Sequence, residues 1–154
     1  MDDLNRENRT LFTGNFERTL DDKFRVAVPA RLRSQLENAQ SRDEVIYVFY
    51  HLVYKRIMIY TVDGWYQYAQ PLLDAIEDLD KKAKMREFIY KHLYEQRLDV
   101  QGRIKLEQKY FKTMGIEKSV EILGSGRSIT IKAPEKDDQL LSEEEAAFMK
   151  QINF

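Results

Sequence analysis

A twelve-residue pattern that occurs twice, 78 positions apart, constrains this chain more than any other feature. Residues 17–28 read ERTLDDKFRVAV, and residues 95–106 read EQRLDVQGRIKL. The Glu, Leu, Asp and Arg positions coincide, and so do the aliphatic positions that follow the Arg. Self-similarity at a fixed offset is typical of a duplicated structural unit. We therefore expect two halves with pseudo-twofold internal symmetry.

Each copy is followed by the same series of predicted elements. Short helices are predicted over residues 29–36 and 108–114, because Pro29 suits the first position of a helix and Gly115 suits the residue just past a helix end. Strands are predicted over residues 45–50, 56–60, 120–123 and 128–131, the last two joined by a hairpin connection at 124–127. Each half thus reads strand, turn, strand, short helix, strand, turn, strand, which predicts an α+β fold.

Helical spacing marks the segment between the halves and the end of the chain. Two sets of apolar residues keep that spacing, Leu72, Leu73, Ile76 and Leu79, and then Met85, Phe88, Ile89 and Leu93. Ser142 followed by Glu145 is a capping-box signature that opens a final helix. We expect one compact unit made of a repeat at 12–60, a connecting helical region at 61–92, a second repeat at 93–133 and an acidic C-terminal helix at 134–154.

Composition and charge narrow the classes of function. The chain has no Cys, which excludes disulfide scaffolds, Cys-ligated zinc and thiol catalysis. No apolar run approaches the roughly 20 residues of a membrane span, and the polar N-terminus does not resemble a signal peptide. Net charge is −1, yet residues 17–33 and 97–118 are basic, whereas the tail from residue 133 is acidic. We expect a cytoplasmic protein with a polarised surface and no membrane association.

The shared Asp and Arg are the strongest candidates for a binding site. Asp21 lies four residues before Arg25, and Asp99 lies four residues before Arg103. Because the flanks are strand-like, each set is expected to form a tight turn in which the Asp accepts backbone N–H groups and orients the Arg. An oriented guanidinium on a two-stranded ribbon suits bidentate contact with phosphate or with guanine in the major groove. The alternative is a structural ion pair that contacts no ligand.

Four segments together resemble the MraZ family of bacterial regulators of the division and cell-wall gene cluster. They are residues 12–16 (FTGNF), 19–23 (TLDDK), 25–33 (RVAVPARLR) and 98–103 (LDVQGR). The resemblance covers residues 12–133. It implies two pseudo-symmetric AbrB-like swapped-hairpin β-barrel halves with interspersed helices. It also implies that Asp21, Arg25, Asp99 and Arg103 are the two family motifs, with Arg25 the leading candidate for DNA contact.

The resemblance further implies a function and a set of partners. The expected protein is a sequence-specific transcriptional regulator that binds double-stranded DNA at direct repeats in promoters, its own included. It would do so as a ring-shaped homo-oligomer associated with the nucleoid. We find no nucleophile elbow, catalytic triad order or cofactor fingerprint, and His51 and His92 stand far apart. We therefore expect no enzymatic activity, no cofactor, no metal and no small-molecule substrate.

Three positions depart from the family pattern. Phe24 stands where the family favours Gly, Thr13 replaces a basic residue, and Glu107 replaces a Pro. Since Phe at positive φ is strained, the first turn is expected to differ in shape from the second. DNA binding is expected to depend more on the first half than on the second, through Lys23, Arg25, Arg31 and Arg33.

Two other kinds of protein remain compatible with the sequence. One is an AbrB-like antitoxin-type module, which would bind DNA and also bind a partner protein through its tail. The other is a ring-forming scaffold in which the Asp/Arg turns are assembly contacts without a role in DNA binding. An Arg25→Ala variant that keeps its assembly but loses DNA binding would support the regulator, whereas a collapsed oligomer would support the scaffold.

Overall fold

The computed structural model describes residues 11–39, 45–136 and 140–154. The strands within these residues are β1 (Asn15–Thr19), β2 (Arg25–Ala27), β3 (Val45–His51), β4 (Arg56–Thr61), β5 (Leu93–Arg97), β6 (Arg103–Lys105), β7 (Ser119–Gly124) and β8 (Ile129–Lys132). The helices are α1 (Ala30–Ala39), α2 (Val62–Gly64), a π-helical segment (Trp65–Ala69), α3 (Gln70–Asp74), α4 (Leu79–Lys91), a 3-10 turn (Gln108–Tyr110), α5 (Phe111–Met114) and α6 (Glu143–Gln151).

The strands form a six-stranded antiparallel sheet and a separate two-stranded ribbon. The sheet has the order β1-β7-β8-β4-β3-β5, and the ribbon pairs β2 with β6. Burial alternates along β3 and β4, which is the pattern of strands with one face on the core. Ile46, Val48 and Tyr50 of β3 are fully buried, and Leu32 and Leu36 of α1 pack in the same core. The α+β class is confirmed.

Strand pairing crosses between the two halves. The first strand of each half pairs with the other half, β1 with β7 and β5 with β3. In the middle of the sheet Met58 lies opposite Thr130, and in the ribbon Val26 lies opposite Ile104. If the strands of one half are exchanged for their equivalents in the other, the sheet keeps the same order of strands, read from the opposite edge. The approximate twofold axis therefore passes through these two residue pairs.

The expected pair of β-barrels is not confirmed. No closed barrel is found among residues 11–39, 45–136 and 140–154, in which the sheet stays open with β1 and β5 at its edges. The reason is the pairing of β4 with β8, which joins the hairpin of one half to the hairpin of the other. One continuous sheet results, and its two edge strands, β1 and β5, do not pair with each other.

The central helical region begins and ends differently from the prediction. The spacing from Leu72 to Leu79 predicted one helix, but α3 ends at Asp74 and α4 begins at Leu79. Asp78 causes the new start, because its carboxylate accepts the backbone N–H of Lys81 at 3.0 Å. Leu93 keeps the helical spacing of the second apolar set, but it begins β5, at the start of the second repeat.

The predictions for strands and for the chain's last helix are confirmed. All four predicted hairpin strands are found within two residues of their expected bounds. Ser142 caps α6, since its hydroxyl accepts the backbone N–H of Glu145 at 3.0 Å. Gly115 follows α5 in the left-handed conformation at φ 70°. Trp65 is buried and makes an edge contact with Tyr60 at 5.4 Å.

No helix among the described residues is both long enough and apolar enough to cross a membrane.

Candidate nucleic-acid interface

The ribbon of β2 and β6 presents cationic side chains on its outer face. Val26 and Ile104 lie opposite each other and are buried, so the flanking residues of both strands face outward. Arg25 pairs with Lys105 in this register, and Ala27 pairs with Arg103. Sequence reasoning did not select Lys105, although the alternation of residues 103–106 places it on the same face as Arg103. The outer face thus carries three cations on two short strands.

The first turn is built around the carboxylate of Asp21. One oxygen, Oδ1, accepts the backbone N–H groups of Lys23 and Arg25, each at 2.9 Å. The other oxygen, Oδ2, accepts Nε–H of Arg25 at 2.8 Å. The backbone N–H of Phe24 also donates to the carbonyl of Asp21 at 3.0 Å. The predicted turn and the predicted orientation of Arg25 are confirmed.

The second turn repeats these contacts. Asp99 Oδ1 accepts the backbone N–H groups of Gln101 and Arg103, each at 2.9 Å, and Oδ2 accepts Nε–H of Arg103 at 2.7 Å. Gly102 donates its N–H to the carbonyl of Asp99 at 2.9 Å. Local hydrogen bonding therefore gives the two turns the same geometry, although their middle residues differ.

Both carboxylates are held in the charged form. The pKa of Asp21 lies below its usual value, first because the backbone N–H of Arg25 donates to it and further because the guanidinium does so. Partial desolvation opposes that shift but does not reverse it. The pKa of Asp99 is lowered in the same way by Arg103. At neutral pH each Arg is thus oriented by an ionised partner.

The carboxylates accept Nε–H of each arginine, and no terminal guanidinium nitrogen of Arg25 or Arg103 makes a hydrogen bond among the residues that the structure describes. Arg103 has one further acidic neighbour, since its Nη1 lies 3.7 Å from Oδ2 of Asp21. Arg25 forms its ion pair with Asp21 alone among the residues that the structure describes. Both side chains are about 30% exposed, at 30% for Arg25 and 27% for Arg103. The terminal nitrogens are the donors that a phosphate or a base edge would meet.

The expectation that Phe24 reshapes the first turn is wrong. Phe24 adopts φ 60°, close to the φ 75° of Gly102 in the second turn. Its ring makes an edge contact with Phe111 at 5.6 Å and packs against the core. That packing offsets the strain of a left-handed Phe.

The equivalent space at Gly102 is occupied by Arg33. A Cβ placed on Gly102 would overlap the Nη1 of Arg33 and lie 2.8 Å from its Cδ. Arg33 also approaches the carbonyl of Gln101 through Nη1 at 3.4 Å. Arg33 and Phe111 are 78 residues apart, so equivalent positions of the two halves cover opposite turns. The fold thereby brings a cation of the first half to the turn of the second half.

The other two basic candidates are placed separately. Lys23 is exposed within the first turn. Arg31 is exposed on α1, and its Nη2 donates to Oγ1 of Thr13 at 3.0 Å. Thr13 thus orients Arg31 and adds no charge of its own. Lys23 and Arg33 therefore lie at the turns, whereas Arg31 contacts Thr13.

Glu107 makes a backbone hydrogen bond that a Pro at this position could not make. Its backbone N–H donates to the hydroxyl of Tyr50 at 2.8 Å. Tyr50 is fully buried and stacks on Tyr110 at 4.0 Å, and burial raises the pKa of its hydroxyl. The backbone N–H of Glu107 therefore provides a partner for a buried polar group.

The two histidines have structural contacts. His92 Nδ1 lies 2.8 Å from the hydroxyl of Tyr110, and His51 Nδ1 accepts the backbone N–H of Tyr54 at 3.1 Å. Within the described part of the chain, no group of three or more His, Cys, Asp or Glu side chains could hold a metal ion.

Comparison with known proteins gives a consistent set of relatives. Residues 11–87 match the family model described as "MraZ protein, putative antitoxin-like". The chain is similar to the protein named "Transcriptional regulator MraZ" of Chlorobaculum tepidum, with 29% identity over 92% of this chain and 96% of the relative. The protein of that name in Mesoplasma florum is 30% identical over 79% of each chain. The one in Lactobacillus helveticus is 29% identical over 88% of this chain and 89% of the relative.

Proposed function

Since this chain belongs to the MraZ family, we propose that it is a transcriptional regulator that binds double-stranded DNA through the β2–β6 ribbon. One observation carries the proposal. Arg25 and Arg103 lie on the exposed face of a two-stranded ribbon, and an ionised Asp orients each of them through Nε. A ribbon of this width fits the major groove of B-DNA, where Arg is the usual partner of guanine.

Contacts with the phosphates position the ribbon in the groove. Lys105 lies on the ribbon beside the two arginines, Lys23 lies in the first turn, and Arg33 lies over the second turn. Such contacts fix the register of a protein on DNA without reading its sequence, whereas contacts to base edges specify the site. We assign the first task to the lysines and Arg33, and the second to Arg25 and Arg103.

The first half carries the larger share of DNA affinity. Arg25 is paired with one carboxylate, whereas Arg103 also has Asp21 within 3.7 Å of its Nη1. A guanidinium that is shared between two carboxylates is less available to DNA. Lys23, Arg31 and Arg33 also belong to the first half. Lys23 lies beside Arg25 in the first turn, whereas Arg33 reaches the second turn.

Self-association multiplies these few contacts. A chain with a net charge of −1 and a single ribbon cannot bind DNA tightly by electrostatics alone. Several ribbons on one assembly raise the effective concentration of each further contact. We propose a ring-shaped homo-oligomer in the cytoplasm, associated with the nucleoid. Its neighbouring subunits read direct repeats in promoters of the division and cell-wall gene cluster, its own included.

The test is fluorescence-anisotropy binding to DNA from the region upstream of the protein's own gene. Scrambled DNA of the same length serves as the control, and each titration is repeated across a salt series. We expect tighter binding to the promoter, weakening linearly with the logarithm of salt as condensed counterions are released. Equal affinity for both DNAs at every salt concentration would remove sequence-specific binding.

An Arg25→Ala variant distinguishes a regulator from a scaffold. Arg86→Ala is the matched control, because Arg86 is exposed on α4, away from the ribbon. We expect the Arg25 variant to lose promoter binding while light scattering shows an unchanged assembly. Loss of the assembly in that variant would instead make the Asp/Arg turns subunit contacts.

A further inference from the structure

We propose that α6 of one copy of this chain docks in the apolar groove of a second copy. This inference rests on the self-association proposed above and names the two surfaces that meet. Neither surface includes β2 or β6, so docking leaves the ribbon exposed for DNA.

The groove lies on the face of the sheet opposite the main core. Its volume is about 880 Å³, and it runs between the sheet and the helical region of residues 65–89. Phe49 and Met58 line it from the sheet, where they occupy the alternate positions that do not face the core. Leu72, Met85 and Ile89 line it from the helices, and Leu72 is 75% exposed. An open apolar surface of this kind is typical of a binding site for another protein.

The charges in the groove are positive. Arg56 and Arg127 line it, and none of its described lining residues is Asp or Glu. Nε of Arg56 is buried and has no hydrogen-bond partner among the described residues. The guanidinium of Arg127 lies over the ring of Tyr68 at 4.4 Å. An occupant with an apolar face and acidic flanks would suit this site.

The C-terminal helix has those properties and lacks a packed face. None of the residues of α6 is buried. Phe148 and Ile152 lie four positions apart on one face, with Met149 beside them, and all three are exposed. Three glutamates, Glu143, Glu144 and Glu145, form its first turn. An isolated helix shorter than about 12 residues is only marginally stable in water, so α6 needs an apolar surface to pack on.

The arrangement favours a neighbouring copy over the same chain as the source of the helix. Glu135 pairs with Lys132 at 2.7 Å, and Arg56 contributes to its lowered pKa, so the tail leaves the sheet near the basic part of the groove. Even so, α6 does not bury any of its residues against its own chain. An amphipathic helix in an apolar groove is a common mode of association. Because groove and helix are different surfaces, the contact is head-to-tail, and repetition gives a ring when the rotation closes.

The experiment breaks each surface separately in the full-length protein. Leu72→Glu places a charge in the groove, and Phe148→Glu places one on α6. Both positions are exposed in the single chain, so circular dichroism should show unchanged folding. Leu79→Glu is the matched control, because Leu79 is 76% exposed and lies outside both surfaces. We expect light scattering to give the mass of one chain for Leu72→Glu and Phe148→Glu, and the wild-type mass for Leu79→Glu.

Mixing the two defective variants gives the sharper result. The Leu72→Glu chain keeps an intact helix, and the Phe148→Glu chain keeps an intact groove. A mixture should therefore form a species of two chains and none larger, since only one competent junction exists. A mixture that stays monomeric would overturn the proposal, and so would assembly of either variant at the wild-type mass.

Two further outcomes are distinguishable. Wild-type protein that is monomeric, with both variants lowering its melting temperature, would mean that the helix docks in its own chain and would overturn docking between copies. Promoter DNA titrated with the monomeric variants tests the proposed function separately. Binding that is weaker than that of wild type but still depends on salt supports two conclusions. The ribbon binds DNA, and docking between copies increases the affinity. Binding as tight as that of wild type would overturn the link between docking and DNA affinity, while the ribbon would stand.

Discussion

The first and second Asp/Arg turns reach one geometry with different residues in the middle. Asp21 and Asp99 accept the same backbone and guanidinium donors at distances that agree within 0.1 Å. Both turns need a left-handed residue, which is Phe24 in one and Gly102 in the other. In the first turn Phe111 of the opposite half supports the ring, and in the second turn Arg33 occupies the vacant space.

The difference teaches that a left-handed position can be filled in two ways. Gly takes that conformation without strain, and the space beside it is then open to a long side chain. Phe is strained in that conformation but gains apolar packing that Gly lacks. The choice at residues 24 and 102 thus decides whether an aromatic ring or a cation lies next to the turn, which matters for a surface that binds an anion.

The largest effect is expected when the second turn is given the residue of the first. Gly102→Phe forces a bulky side chain into φ 75° and against Arg33, and should lower the free energy of unfolding by about 2–4 kcal/mol. Adding Arg33→Phe recreates the ring contact of the first turn and should recover part of that loss. Phe24→Gly, which relieves strain as it loses packing, should cost less than about 1 kcal/mol. Urea unfolding measures the stability of each variant. If Arg33→Phe did not recover stability in the Gly102→Phe background, the supports of the two turns would not be equivalent.

Removing the arginines one at a time compares the two turns in DNA binding. Arg25→Ala should weaken promoter binding by about 10- to 100-fold, which is the worth of a good bidentate contact. Arg103→Ala should weaken it less, because Arg103 is also held by Asp21. Anisotropy titrations at a single salt concentration measure both. Comparable losses of affinity in the two variants would contradict the proposal that the first half contributes more to DNA binding.

The second residue after each ribbon strand offers a third comparison. Glu107 corresponds to Pro29, and its φ of −81° would accommodate Pro. Glu107→Pro removes only the N–H that Tyr50 accepts, so it should cost about 1–2 kcal/mol more than Glu107→Ala, which keeps that N–H. Thermal or urea unfolding of the two variants gives the difference. Equal stabilities would mean that the buried hydroxyl finds another partner.

Acid should weaken both turns over the same range of pH. The pKa values of Asp21 and Asp99 are lowered by folding, so their ionised forms stabilise the protein above the unfolded pKa, and this contribution is lost as pH falls through the folded pKa. Stability should therefore decline below about pH 4. An Asp21→Asn/Asp99→Asn variant should show a shallower decline, and the two single variants should be alike. If the stability of the double variant declined as steeply with falling pH as that of wild type, other carboxylates would cause the loss of stability in acid.

Local patterns predicted much of the candidate site. The contacts of Asp21 and Asp99 span four residues, so the Asp-x-x-x-Arg spacing and the strand-like flanks were enough to predict the turns and the orientation of each Arg. The cap at Ser142 and the left-handed Gly115 are equally local. Lys105 was missed even though alternation along β6 marked it. The failure at Leu79 arose because the spacing of apolar residues concealed the Asp78 cap.

The sequence by itself determined the elements and the two turns, because their decisive hydrogen bonds join residues close along the chain. Tertiary structure alone decided how the halves combine. The open sheet depends on Met58 meeting Thr130, and the opposite supports of the turns depend on Phe24 meeting Phe111 and on Arg33 reaching Gly102. These partners are separated by 69 to 87 positions. Only the antiparallel pairing of strands across the two halves brings such distant residues together, and a local pattern carries no record of that pairing.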